Sequence, residues 1–340
     1  MEEVVVQQAL PLGNWDDLIG HQAERRRLVR GGAFASLLFS GPPGLGKRLL
    51  AAWYGAHVNC HQPGEGAPWS CDCPHCRLVL KNTHPDVYWM ERAAGKLSLG
   101  VGEARELIHH LYLRPYQARS RVCIISEAER LTDEAQSALL KTLEEPPDSN
   151  LLILVCSQEL VLLPTCSGAP LPHSPLSSRG RRRADGWLEG KGCPADSAAR
   201  YAGLAQGSPG KALQLWEQPA LWEALEQLLD ALGELPGSSL GRCLELAAKC
   251  ETLKVPGLEG RALLEWILHS AQAYFRDVLL VQAGALHIIH RHRLKQLEQL
   301  AQKKSRVQDW LEVLRESQEY AEANVNVRLL LQDLFLKLRK

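Results

Sequence analysis

The sequence predicts an α/β fold, with a parallel sheet in the first half of the chain and helices alone in the second. Strand-like runs at residues 37–39, 86–90, 121–125 and 151–155 alternate with segments of helical periodicity, which is typical of a parallel sheet covered by helices. After residue 213, apolar residues fall at three- and four-residue intervals, as on amphipathic helices. Parallel strands end on one edge of their sheet, and ligands bind at that edge.

The composition limits the classes of function. The chain has 340 residues, enough for two or three domains, and its 45% apolar and 23% charged residues are ordinary for a globular protein. Lys plus Arg and Asp plus Glu both total 39, which argues against a free-standing DNA binder held by bulk positive charge. No apolar run has the length of a membrane span, and the first residues lack the positive charge of a secretion signal. We therefore expect a cytoplasmic protein without a membrane partner, whose ten cysteines do not form disulfides.

A glycine-rich loop follows the first strand. The residues with the spacing of a phosphate-binding loop are Gly41, Gly44, Gly46 and Lys47. The glycines allow backbone N–H groups to turn toward a phosphate, and the lysine adds a positive charge for its outer oxygens. A helix predicted for residues 47–54 starts at the same place and offers its free N–H groups to the anion. The loop therefore predicts a nucleotide-binding fold.

Both positions that should ligate Mg²⁺ are changed. The residue after the lysine should be Ser or Thr, but Arg48 stands there, and a guanidinium has donors and no acceptor. The strand ending at residue 125 should be followed by Asp, but Ser126 follows it. Glu127 is either a catalytic base or a solvated strand-end carboxylate, and the second interpretation suits a site without a metal. We therefore predict no catalytic residue and no Mg²⁺.

The binding of ATP or ADP stays open. The glycine loop could hold phosphate without a metal, or the bulk of Arg48 could block the pocket. Ser157 follows the fourth strand in a sensor-like position. Because parallel strands end on one edge, we expect Arg48, Ser126 and Ser157 to lie near one another.

Four cysteines form a cluster after the loop helix. They are Cys60, Cys71, Cys73 and Cys76. Four thiolates suit a tetrahedral structural Zn²⁺, although a Cys-x-Cys pair is tighter than usual, so that His61 or His75 could replace one thiol. The alternative is a set of reduced surface thiols. The insertion at residues 60–76 lies away from the phosphate side of the loop, and we therefore predict a structural zinc site.

The second half of the chain predicts long helices and no catalytic constellation. The helices cover residues 259–282, 287–304, 307–322 and 324–339. Three histidines lie within one short segment that has no acidic or thiol partner for them, so we expect them to be solvated surface residues. They are His287, His290 and His292. A modest basic face either touches DNA or only solvates its helix, and it consists of Arg291, Arg293, Lys303 and Lys304.

Several runs of the chain together resemble the AAA+ clamp-loader subunits of bacterial DNA polymerase III. The runs are residues 18–21, the glycine loop, the cysteine cluster, and residues 83–86, 126–132, 138–147, 187–190, 207–213 and 324–331. The resemblance covers nearly the whole chain, and the run Ala-Leu-Leu-Lys-Thr-Leu-Glu-Glu-Pro-Pro at 138–147 is highly specific. It implies an AAA+ domain at residues 1–165, a small helical lid at 166–213 and a helical collar at 214–340.

Two paralogous types share these features, a motor named gamma/tau that hydrolyses ATP and a stator named delta-prime with a degenerate site. Arg48, Ser126 and Gly210 stand where the motor has a hydroxyl, an aspartate and a second-sensor arginine. The resemblance therefore implies a non-hydrolysing delta-prime subunit. Such a subunit helps gamma/tau and delta, in a ring of five, to open the sliding clamp and place it on primed DNA. The alternative is an active AAA+ ATPase of the motor type.

One segment departs from the family. Residues 166–185 are rich in Pro, Ser, Gly and Arg, where the family carries a Ser-Arg-Cys motif whose arginine reaches the ATP site of the neighbouring motor. Thr165 and Trp187 are nevertheless as far apart as in the family. Two compensating frameshifts would give retained length with foreign composition, and a diverged basic loop is the other hypothesis. Arg179 is a weak substitute for the missing arginine.

Overall fold

The computed structural model describes most of the chain, and its contacts divide the residues between two compact units. The described residues are 12, 14–31, 34–64, 71–93, 96, 98–147, 150–157, 173–175, 181–285, 288–302, 307–322 and 326–339. The first unit takes Met1–Arg183 together with Ser208–Gly210, and the second takes Ala184–Gly207 and Lys211–Lys340. The three-domain division expected from the sequence stays a prediction.

A parallel sheet forms the centre of the first unit and confirms the α/β expectation. Its strands are β1 (Ser36–Ser40), β2 (Val87–Met90), β3 (Val122–Ile125), β4 (Leu151–Cys156) and β5 (His173–Pro175). Their order in the sheet is β2-β3-β4-β1-β5, and every pair is parallel. The strand β5 lies inside the compositionally altered segment, residues 166–185. Arg179 and most of that segment lie outside the described residues.

Helices cover both faces of the sheet. They are α1 (Gln22–Arg30), α2 (Lys47–Asn59), α3 (Pro74–Leu80), α4 (Val101–Tyr112) and α5 (Asp133–Glu144). Side chains alternate along β1, so Leu37 and Phe39 pack with α2, whereas Leu38 packs with α4 and α5. The helix α2 continues past the predicted end near residue 54 because Ala56 and His57 remain buried, with the His57 ring stacked on Trp53.

The second unit is helical. Its elements are α6 (Arg181–Gly190), of which residues from 184 belong here, α7 (Ala195–Leu204), α8 (Pro209–Glu217), of which residues from 211 belong here, α9 (Pro219–Glu234), α10 (Leu240–Glu251), α11 (Gly260–Gln282), α12 (Leu294–Gln302), α13 (Val307–Glu322) and α14 (Val327–Leu338). Helices α9 to α14 share one apolar core. Among the described residues, no helix is both long and apolar enough to cross a membrane.

The helix expected at 287–304 begins later, at Leu294. The N–H groups of Ile289 and His290 each donate at 2.7 Å to Oδ2 of Asp277 on α11, instead of entering a helix. Asp277 is fully buried, so these bonds fix the backbone of residues 289 and 290, and a 3-10 turn at Arg291–Arg293 leads from there into α12.

The prediction of solvated histidines is wrong for His290, whereas His292 is exposed as expected but has an acidic partner. His290 is 2% exposed, and its Nδ1 lies 2.9 Å from Oδ2 of Asp277. The Nε2 of His292 lies 3.0 Å from Oε1 of Glu226 on α9. The acidic partners belong to other helices and could not be identified from the neighbouring sequence. His287, Lys303 and Lys304 lie outside the described residues.

One residue of the predicted basic face, Arg293, is paired with acidic side chains and is largely buried. Both terminal nitrogens of Arg293 form ion pairs, with Glu226 and with Asp230, and its side chain is only 11% exposed. This guanidinium therefore joins α9 to the start of α12 and does not belong to a surface open to DNA.

Candidate functional site

The glycine loop, residues 41–46, connects β1 to α2. Gly41, Gly44 and Gly46 have φ angles of 139°, 81° and 82°, which side chains rarely adopt. Lys47 is buried, and its Nζ donates to the carbonyl oxygens of Gly41 at 2.6 Å and Pro42 at 2.9 Å. The loop thus has the backbone path expected from its glycines, with the lysine ammonium bound to the carbonyls of the loop itself.

The segment Ser208–Gly210 lies against this loop within the first unit. The N–H of Gly210 donates to the carbonyl of Gly44 at 2.9 Å, and the Ser208 hydroxyl donates to the carbonyl of Pro43 at 3.1 Å. A Cβ at position 210 would lie 3.0 Å from that Gly44 oxygen and 3.1 Å from the Gly44 Cα. The position that carries an arginine in the motor type therefore leaves little room for any side chain unless the loop moves.

A cavity of about 340 Å³ opens at the carboxyl ends of β2, β3 and β4. Its lining residues are Arg48, Glu91, Arg92, Ser126, Glu127, Glu129, Val155, Cys156 and Ser157. The cavity places Arg48, Ser126 and Ser157 near one another, at the sheet edge where a ligand of this fold class binds.

An ion pair occupies the part of the cavity where the two changed metal positions meet. The Nη2 of Arg48 lies 2.6 Å from Oε1 of Glu91, and the Ser126 hydroxyl donates to the same oxygen at 3.4 Å. The Arg48 guanidinium also lies over the ring of Trp89, 5.0 Å from its centroid. Glu91 therefore connects both changed positions, since it contacts a side chain from α2 and another from the end of β3.

Sequence reasoning missed Glu91. The only local signal was its position directly after β2, at the same sheet edge as Ser126. Burial raises the pKa of the Glu91 carboxyl, and the Arg48 guanidinium and Ser126 hydroxyl partly offset this effect. The carboxylate is thus held in a half-buried place mainly by its cationic neighbour.

Glu127 has a cationic partner of its own. The Nε of Arg92 donates to its Oε2 at 3.0 Å, and the Glu127 side chain is 46% exposed. This geometry favours a solvated, hydrogen-bonded carboxylate over a catalytic base, because the lone pairs face an arginine and water.

The four cysteines lie together at the junction of α2 and α3. Cys60 is the residue after α2, Cys73 precedes the first residue of α3 and Cys76 lies in its first turn. The four sulfur atoms are all within 4.8 Å of one another, and those of Cys73 and Cys76 are 3.5 Å apart. Four sulfurs around a tetrahedral zinc with bonds of about 2.3 Å stand about 3.8 Å apart, so this group has the size of a metal site.

The surroundings act in opposite directions on the thiols: burial raises the pKa of Cys60 and of Cys76, whereas the pKa of Cys73 is lowered. The N–H of Gln62 donates to the Cys60 sulfur at 3.4 Å. Burial opposes ionisation of Cys73, but hydrogen bonds from the backbone of Cys76 and His61 outweigh it and lower the pKa of this thiol to about 6. Among the described residues, the group contains four sulfurs and no imidazole, and the Nδ1 of His75 is hydrogen-bonded to His84 instead.

Comparison with protein families matches residues 23–168 to a model described as DNA polymerase III, delta subunit. The matched stretch contains the glycine loop, the cysteine group and every residue that lines the cavity at the sheet edge.

Curated relatives extend this finding along the chain. The chain is 28% identical over 318 residues to the DNA polymerase III subunit delta' of Pseudomonas aeruginosa, covering 90% of this chain and 91% of that protein. It is 33% identical over 212 residues to the delta' subunit of Yersinia pestis, where the match covers 58% of this chain and 59% of the relative. The gamma/tau subunit of Mycoplasma pneumoniae is 27% identical over 231 residues, which is 64% of this chain and 32% of that protein.

Proposed function

We propose that this chain, which belongs to the delta' family of DNA polymerase III subunits, is a non-hydrolysing subunit of a clamp loader. The observation that carries the proposal is the Arg48–Glu91 ion pair at the sheet edge. In hydrolysing enzymes of this fold class, a Mg²⁺ ion at that edge neutralises the charge that develops on the transferred phosphate. Here a guanidinium lies at that edge instead, with its Nη2 2.6 Å from an oxygen of a protein carboxylate.

The chemistry of the surrounding side chains agrees with this role. Arg48 offers no lone pair to a metal, and the hydroxyl of Ser126 is hydrogen-bonded to Glu91. A divalent ion would have to displace the guanidinium and then lie beside its positive charge. The site can therefore keep the shape of a nucleotide site without performing the hydrolytic step.

The active motor is the second candidate, because the glycine loop and Lys47 are retained. Relatives of the motor type align over a smaller part of their own length than the Pseudomonas delta' subunit does. The ion pair at Arg48 and the crowded position of Gly210 favour the stator.

The proposed partners are the gamma/tau and delta subunits of a five-subunit ring in the cytoplasm. Through that ring the chain would act on the sliding clamp and on primed DNA. The cysteine group would hold one structural Zn²⁺ through Cys60, Cys71, Cys73 and Cys76. Bound zinc would fix the end of α2 to the start of α3 and would take no part in chemistry at the cavity.

Steady-state ATP hydrolysis tests the proposal. The purified chain should be inactive alone with Mg²⁺ and ATP, and it should support hydrolysis and clamp loading when mixed with gamma/tau and delta. Turnover by the chain alone, abolished by Lys47→Ala, would establish the motor function instead. Metal analysis under reducing conditions should give one zinc per chain, and a content near zero would remove the zinc site.

A further inference from the structure

A surface loop at residues 113–120, between α4 and β3, is attached to the interior at several points. Arg121 bonds both the carboxylate of Asp86 and the carbonyl of Arg114, and the Asn59 side chain pairs with the backbone of Ser120. Most of the backbone N–H bonds of the loop go to Asp86. Asp86 is fully buried, and its oxygens accept the backbone N–H groups of Tyr116 at 2.6 Å, Gln117 at 2.9 Å and Ala118 at 2.9 Å. The Tyr116 side chain is nevertheless 82% exposed. The loop thus presents its side chains to solvent while its backbone is attached to the interior.

The same aspartate is joined to a pair of buried histidines. The N–H of Asp86 donates to Nδ1 of His84 at 3.0 Å, so this nitrogen carries no proton. The proton of His84 is therefore on Nε2, which donates to Nδ1 of His75 at 2.8 Å. Burial, reinforced by His75, lowers the pKa of His84 to about 4, so this arrangement is the neutral one near pH 7.

His75 links this hydrogen-bond chain to the cysteine group. It lies in the first turn of α3, between Cys73 and Cys76, and is 8% exposed. A displacement of this turn would leave the buried nitrogens of His75 and His84 without their partners, which is costly away from water. The position of α3 and the order of the loop are therefore energetically connected.

We propose that metal bound by the four cysteines positions the loop at residues 113–120 through His75, His84 and Asp86. The inference rests on the proposed metal binding, and it adds that the metal controls a surface remote from its own ligands. His75 and His84 act as positioning residues and do not ligate the metal.

Hydrogen exchange of the full chain measures this coupling directly, because the three amides bound by Asp86 report on the loop. The protein is compared with zinc bound and after removal of zinc by a chelator under reducing conditions. Loss of one buried hydrogen bond corresponds to about fivefold to tenfold faster exchange, and we expect at least this change at amides 116–118 on zinc removal.

Two matched variants identify the route. In His84→Asn the side-chain oxygen can still accept from the Asp86 N–H, but the donor to His75 is lost. We expect this variant to bind zinc and to exchange at amides 116–118 at similar rates with and without zinc. His109→Asn makes the same change at an exposed position of α4 and should keep the full dependence on zinc.

The outcomes separate this inference from the proposals beneath it. Equal exchange of the natural chain with and without bound zinc overturns the coupling and leaves the zinc site in place. Full zinc dependence in His84→Asn overturns the route through the histidines. A chain that binds no zinc overturns both the zinc site and the coupling, while the ATPase measurements still decide the stator function.

Discussion

Replacement of Arg48 by threonine should destabilise the first unit, and a second substitution at Ser126 should then complete a metal site. Arg48→Thr removes the cation beside Glu91 and supplies the hydroxyl that a metal site requires. We therefore expect the free protein to become less stable. We also expect Arg48→Thr combined with Ser126→Asp to acquire binding of nucleotide that depends on Mg²⁺.

The expected size of the stability loss depends on how far the Arg48–Glu91 ion pair is exposed to solvent. The side chains of Arg48 and Glu91 are 33% and 21% exposed, which lies between a surface pair and a buried pair. Together with the lost contact to Trp89, removal of the guanidinium should cost about 2 kcal/mol of unfolding free energy. For a unit of this size, that corresponds to a melting temperature lowered by about 4–8 °C.

The effect should also depend on pH. Burial raises the pKa of Glu91 above its value in the unfolded chain, so the folded state favours the protonated carboxyl. This contribution to stability is present at low pH and is lost as the pH rises through the pKa of the folded state. Arg48 is needed only while Glu91 is ionised. The difference between the natural chain and Arg48→Thr should therefore be largest near neutral pH and should shrink as the pH falls toward 4.5, the ordinary pKa of this carboxyl.

Thermal unfolding with and without Mg²⁺-ATP measures both effects, and Arg92→Thr is the matched control. Arg92 lines the same cavity and pairs with Glu127, but this pair is 31% and 46% exposed, so its loss should cost about 0–1 kcal/mol. Equal destabilisation by Arg48→Thr and Arg92→Thr would refute the special role of the Arg48 pair. A natural chain that Mg²⁺-ATP stabilises more than ATP alone would refute the loss of the metal site.

Three further predictions concern other parts of the chain. Asp277→Ala should destabilise the second unit by about 3 kcal/mol or more in urea unfolding, because three buried donors lose their acceptor. The control is Asp333→Ala at an exposed position, which should cost under about 0.5 kcal/mol. Equal costs for the two variants would contradict this account. Burial opposes ionisation of Glu226, but hydrogen bonds from His292 and Arg293 outweigh it and lower its pKa to about 2. The stability that ionised Glu226 contributes is therefore present above pH 4.5 and is lost as the pH falls toward 2. Glu226→Gln should lower the unfolding free energy of the second unit at pH 6 and much less at pH 3. An equal effect at both pH values would refute the lowered pKa of Glu226. Cys73→Ser should reduce zinc content and melting temperature together, whereas Cys193→Ser should leave zinc content unchanged, and a fully loaded Cys73→Ser protein would exclude that ligand.

Much of the fold and part of the candidate site could be predicted because they depend on short-range patterns. Alternating strand-like and helical runs gave the parallel sheet, and the glycine spacing located the loop before α2. The four cysteines lie within one short stretch, so their spacing alone indicated that they could meet. The replacement of both metal-ligand positions was also visible, since each position is defined by its distance from a loop or a strand end.

Other predictions failed because their determinants are distant in sequence. His290 was expected in solvent, but it is buried beside Asp277 of α11, and the partner of exposed His292, Glu226, also lies on another helix. The α-helical start at Leu294 was also missed, because residues 289 and 290 bond to Asp277 of another helix and a 3-10 turn at Arg291–Arg293 follows them.

The sequence by itself determined which chemical groups this protein has at its nucleotide-like site and which it lacks, since a missing hydroxyl or carboxylate is a fact of composition. Only the tertiary structure decided what the remaining groups do. Arg48 meets Glu91 because both follow strands that end on the same edge of the sheet, although β3 and β4 lie between those strands. Likewise, His75 reaches Asp86 through His84 because their bonds form in a buried place that only the folded chain creates. A buried charge or imidazole must find its partner in three dimensions, and local sequence does not specify that partner.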